Sequence, residues 1–140
     1  MSVSIDVSYR GELHCEAVHG PSRKVLATDA PIDNHGRGEC FSPTDLVATA
    51  FLTCMMTVMG IAARARGIEL KGMSGRVEKE MVAAPRRRVA RLPSVITIPK
   101  DVAAAISIED RAHLEQAALT CPVQESLHPD IERAVRFEWG

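Results

Sequence analysis

The chain has 140 residues, 46% of them hydrophobic and only 4% aromatic, with a net charge of -1 at pH 7. This length fits one domain. The near-zero charge speaks against the clustered basic excess of a nucleic-acid binder. The N-terminus Met1-Ser2-Val3-Ser4-Ile5-Asp6 lacks the basic and apolar regions of a signal peptide, so a cytoplasmic protein with reduced cysteines is expected.

Residues 3–10 and 12–19 alternate imperfectly around Arg10-Gly11 and predict a hairpin. Residues 24–29 add a third strand after Gly20-Pro21, and a loop follows from Ala30 to Phe41, with glycines at 36 and 38. Ser42-Pro43 is a helix start, with Ser at N-cap, Pro at N1 and Asp45 in the first turn. The helix should run to about Arg66, with Gly67 as its stop.

Leu46 to Ala63 carries no charge and approaches bilayer-spanning length. Its threonines at 49, 53 and 57, Gly60 and many alanines favour a buried helix of a soluble protein, so no membrane partner is expected. Strands are predicted at 73–83 and 88–98, joined through Ala84-Pro85-Arg86-Arg87. A helix over 108–119 follows, with Ser107 as N-cap and Asp110 three residues on. Pro122 ends that run and starts a short helix through Leu127, and residues 132–139 alternate as a last strand. The order predicts an α+β fold of mainly antiparallel sheet. A long helix apolar all round needs cover that one small sheet cannot supply, so an obligate dimer with a hydrophobic interface is expected.

Two of the four cysteines stand out. Cys54 lies mid-helix, sharing a face with Ala50, Phe51, Val58 and Ile61. Buried there without a cation, it would be an inert small hydrophobe, so a functional Cys54 needs a polar or basic partner from elsewhere. Cys121 falls at the N-cap of the helix that Pro122 opens, where free N–H groups favour a thiolate. Neither has a second ligand two to four residues away, and the histidines show no metal-binding spacing, so no metal is expected. Cys15, in a strand, and Cys40, in the glycine loop, read as incidental.

Thr28-Asp29-Ala30-Pro31, Ser42-Pro43-Thr44-Asp45-Leu46, Thr53-Cys54-Met55, Pro85-Arg86-Arg87 and Thr120-Cys121-Pro122-Val123-Gln124-Glu125-Ser126-Leu127-His128-Pro129 occur in that order. In these segments the chain resembles the osmotically inducible protein C-like (OsmC/Ohr) family of cysteine-based hydroperoxide reductases. The resemblance implies an OsmC-like fold, with antiparallel sheets wrapped around long central helices in an intertwined homodimer. It implies that Cys54 is the peroxidatic thiol and Cys121 the resolving one, joined by an intramolecular disulfide during reduction of organic hydroperoxides. No bound cofactor is implied, only an external dithiol reductant, of which a lipoyl-type dithiol is one form.

In well-studied members a glutamate after the helix-opening proline orients an arginine at the reactive thiol. Here that position is Thr44, and the nearest acid, Asp45, is turned about 100° around the helix. Arg37, in the glycine loop, is the first candidate for the arginine. Thr44 also leaves open a non-peroxidatic small-molecule-binding protein on the same dimeric scaffold.

Overall fold

A computed structural model describes residues 1–140 and divides them into two compact units, Met1–Val47 and Ala48–Gly140. In the first unit, β1 (Ile5–Gly11), β2 (His14–His19) and β3 (Val25–Asp29) form an antiparallel sheet in that order. The loop that follows holds one 3-10 turn, Ile32–Asn34, and folds back tightly on itself. A Cβ at Gly36 would lie 1.8 Å from the carbonyl oxygen of Ala30, so only glycine allows this closure.

Helix α1 (Pro43–Ala65) begins in the first unit and continues into the second. Ser42 and Asp45 cap it reciprocally. The Asp45 N–H donates to Ser42 Oγ at 3.0 Å, and the Ser42 N–H donates to Asp45 Oδ2 at 2.8 Å. At the other end Gly67 adopts a left-handed φ of +70°, as the sequence predicts. By length and composition α1 could cross a membrane. Its buried residues nevertheless form a stripe, Ala48, Phe51, Leu52, Met55, Met59 and Ala63, at helical spacing.

The second unit corrects two predicted strands. The segment 73–83 is β4 (Ser74–Val77) and β5 (Glu80–Val82), and 88–98 is β6 (Arg88–Arg91) and β7 (Ser94–Ile98). Together they make one long interrupted hairpin, because β5 pairs with β6 and β4 with β7, both antiparallel. The break falls at Pro93, which has no N–H to give the ladder. Its carbonyl still accepts from the Glu78 N–H at 3.0 Å.

Helix α2 (Lys100–Ala104) is too short to show a period and was not predicted, whereas α3 (Ile108–Leu119) and α4 (Pro122–Ser126) fall where expected. The Ser107 side chain caps α3 by accepting from the Asp110 N–H. β8 (Val135–Trp139) starts three residues later than predicted, after a single bridge between Glu132 and Arg91. It pairs with β7 in parallel, an exception to the antiparallel rule. The three helices between these strands supply the crossover that parallel pairing needs.

Trp139 fastens the end of the chain: its indole N–H donates to Glu115 at 2.7 Å, and the Arg111 guanidinium lies 5.4 Å from its ring centre. The core gathers Phe51, Met55, Met59, Leu92, Ile96, Ile98, Leu114 and Cys121, all fully buried. Each large side chain here contributes about 1.5–3 kcal/mol. The molecule is thus α+β, as predicted.

Candidate active site

The fold brings Cys54 and Cys121 together within the second unit. Cys121 ends the α3–α4 corner, because Pro122 occupies N1 and turns the chain. Its Sγ caps α4 by accepting from the Gln124 N–H at 3.5 Å. Cys54 reaches the same point from the middle of α1, close enough to Cys121 to act on it as a hydrogen-bond partner and through charge.

The two thiols differ in exposure. Cys121 is fully buried, and Cys54 is half-buried beside Met56 and Val58. Burial pushes the Cys121 thiol above its ordinary range, the Gln124 N–H pulls against that, and Cys54 adds to the rise. The expectation that Cys121 is favoured as a thiolate is therefore corrected: loss of water outweighs the N–H groups.

The apolar wall predicted around Cys54 is also only partly present. Phe51 is buried, but Ala50 is exposed and Ile61 is 64% exposed.

Arg37 lies in the first unit, where its guanidinium stands 3.7 Å from the Asp29 carboxylate. Asp45 is engaged by the cap at Ser42. Thr44 Oγ1 lies 3.2 Å from Ser42 Oγ.

Two further residues, Gln124 and Arg133, meet the cysteine-bearing segments. Gln124 touches both cysteine-bearing segments, through its N–H to Cys121 and its Nε2 to Met55 Sδ at 3.8 Å. Arg133 fixes Gln124 by donating from Nη1 to its backbone oxygen at 2.6 Å and to its Oε1 at 3.2 Å. A surface depression of about 430 Å3 opens beside this pair, lined also by Leu119, Glu125, Leu127 and Pro129. Gln124 at the third position after a capping cysteine was the available signal; Arg133, nine residues on, gave none.

Chemically, a half-exposed thiol facing a buried one can accept an oxidising equivalent and pass it on as a disulfide. Known proteins agree with the fold. No curated relative matches the chain. A crystal structure from Psychrobacter arcticus, of a protein described as an osmotic stress induced and detoxification response protein, is 40% identical. The match covers 99% of this chain and 96% of that one, with a TM-score of 0.89.

More distant structures share the fold alone. An organic hydroperoxide resistance protein OsmC from Legionella pneumophila has 15% identity and a TM-score of 0.76, covering 99% and 97% of the two chains. An organic hydroperoxide resistance protein from Elizabethkingia anophelis has 13% identity and a TM-score of 0.70, covering 100% and 97%. The family model described as OsmC-like protein matches residues 36–135, a span that contains both Cys54 and Cys121. With that span and the 40% identical relative in agreement, this chain is a member of the OsmC-like family.

Proposed function

We propose that the protein reduces organic hydroperoxides with Cys54 as the attacking thiol and Cys121 as the resolving thiol. The observation that carries this reading is the meeting of a half-exposed and a buried cysteine from two separate elements. Cys54 thiolate attacks the peroxide, the O–O bond breaks, and protonation of the leaving oxygen releases an alcohol. Cys54 is left as a sulfenic acid. The Cys121 sulfur then attacks it, a disulfide forms and water leaves. An external dithiol returns both cysteines to thiols and is itself oxidised to a disulfide. The apolar side chains beside Cys54 suit an alkyl or aryl hydroperoxide better than hydrogen peroxide. Names of fold neighbours, organic hydroperoxide resistance proteins, agree with this chemistry.

The test is to titrate reduced protein with cumene hydroperoxide and map disulfides by peptide mass spectrometry. One Cys54–Cys121 bond per peroxide is expected, forming faster than with hydrogen peroxide. Cys54→Ser should consume no peroxide. Cys121→Ser should stop after one equivalent as a Cys54 sulfenic acid. Full turnover by Cys54→Ser would overturn the reading.

Thr44, at the position where well-studied relatives carry a glutamate, favours a second reading, a non-peroxidatic small-molecule-binding protein on the same scaffold. Thermal stabilisation by apolar thiol-reactive ligands without peroxide consumption would establish it instead.

A further inference from the structure

The first unit holds a second group of reactive side chains, separate in sequence from both paired cysteines. His14 opens β2 and Asp29 closes β3, and the strand register sets them opposite each other. Cys40 arrives from the loop that follows, and its own N–H donates to Asp29 Oδ2 at 3.0 Å. The imidazole nitrogen, the carboxylate oxygen and the thiol sulfur all lie within 4.8 Å of one another. Asp29 is only 1% exposed, the His14 side chain 18%, and Cys40 is half-buried.

We propose that His14, Asp29 and Cys40 form a binding site for a zinc-class divalent cation, with water in the fourth position. Donor chemistry supports this choice. One imidazole, one carboxylate and one thiolate suit a borderline-soft ion better than magnesium or calcium, which take oxygen ligands.

Size also fits. Bond lengths of about 2.0–2.3 Å put tetrahedral ligand atoms about 3.5 Å apart. The His14 Nδ1 to Asp29 Oδ1 distance, now 2.6 Å, would open, and the longer separations would close. Charge balances as well: a carboxylate and a thiolate neutralise the ion, and the imidazole stays neutral.

On binding, Nδ1 would give up its hydrogen bond to Asp29 and turn its lone pair to the ion, which requires the imidazole proton to sit on Nε2. Cys40 loses its thiol proton to solvent. The second carboxylate oxygen, Oδ2, is already held by the N–H groups of Glu39 and Cys40, at 3.1 and 3.0 Å. Such outer contacts orient a ligating carboxylate. Arg37, 3.7 Å from Asp29 and 46% exposed, has room to swing toward solvent.

The site escaped the sequence because its ligands stand at 14, 29 and 40, far from any short spacing. Only the β2–β3 register and the return of the loop bring them together.

The test uses full-length reduced protein carrying Cys54→Ser and Cys121→Ser, so that the redox thiols contribute nothing. Cobalt(II) is titrated first, and zinc is then added in competition. The expected result is a near-ultraviolet thiolate-to-cobalt band at one ion per chain, bleached by zinc. Adding Cys40→Ser should abolish the band, and His14→Gln should weaken binding at least about tenfold. Adding Cys15→Ser should change neither. Circular dichroism of each variant checks that it is folded. The proposal falls if the parent double variant shows no band, or if the band survives Cys40→Ser. No peroxide enters this assay, so its outcome is independent of the proposed reductase activity.

Discussion

At the scale of single residues, the contrast between Cys54 and Cys121 is one of water access. Cys121 is fully buried, and its thiol is pushed above the ordinary range chiefly by that burial. If its sulfur must be a thiolate to attack the sulfenic acid on Cys54, the resolving step should accelerate with pH. A stopped-flow pulse of hydroperoxide is expected to show disulfide formation rising about tenfold per pH unit up to and beyond the usual thiol pKa of about 8.5. A flat profile between pH 7 and 9 would contradict that assignment.

The same shift bears on stability. The unfolded thiol ionises first as pH rises, so the native state holds more protons, and stability falls from about pH 8.5 upward. Reduced wild type should therefore lose stability relative to Cys121→Ala across that range, as read by urea unfolding at each pH.

Among the elements, α1 shows how a local signal sets a helix start. Ser42 and Asp45 form a reciprocal cap, so Asp45→Ala should cost about 1 kcal/mol by urea denaturation, and Asp45→Asn less. The cap, the proline start of α4 and the glycine stop at Gly67 were legible because each depends on residues within a few positions. The split of both predicted hairpin strands was less legible, although Pro93 marked it. The parallel pairing of β8 was not, since it depends on three intervening helices. The meeting of Cys54 with Cys121 came from the family resemblance, not from spacing.

Arg133 belongs to the same class of hidden contact. It braces Gln124 through two hydrogen bonds, and Gln124 touches both cysteine-bearing segments. Arg133→Met is expected to slow disulfide formation severalfold while leaving sulfenic acid formation by Cys54 unchanged, with Arg133→Lys intermediate. Equal slowing of both steps in stopped flow would show that Arg133 acts on the fold as a whole.

For the whole molecule, the question is what covers its apolar surfaces. Ile5, Val7 and Tyr9 alternate onto one face of β1 and are 60–65% exposed, and Val3, just before the strand, is 53% exposed. β1 is also an edge of its sheet, with unpaired backbone groups open to another chain. On α1, Ile61 is 64% exposed and lies in an open groove with Thr57, Arg64 and Ala65. A monomeric protein seldom leaves such surfaces in water, since each large side chain gains about 1.5–3 kcal/mol on full burial.

A second copy of this chain is the proposed cover. Light scattering should then give twice the 15.2 kDa chain mass, and the unfolding midpoint should rise with protein concentration. Ile5→Lys with Val7→Lys should shift the protein to monomer, and Ile61→Glu should do so separately. If the partner also shelters Cys54, monomeric variants will lose hydroperoxide turnover while Cys54 becomes more reactive toward iodoacetamide. Monomers that retain full turnover would confine the reaction to one chain, because every residue it needs would then lie within a single copy.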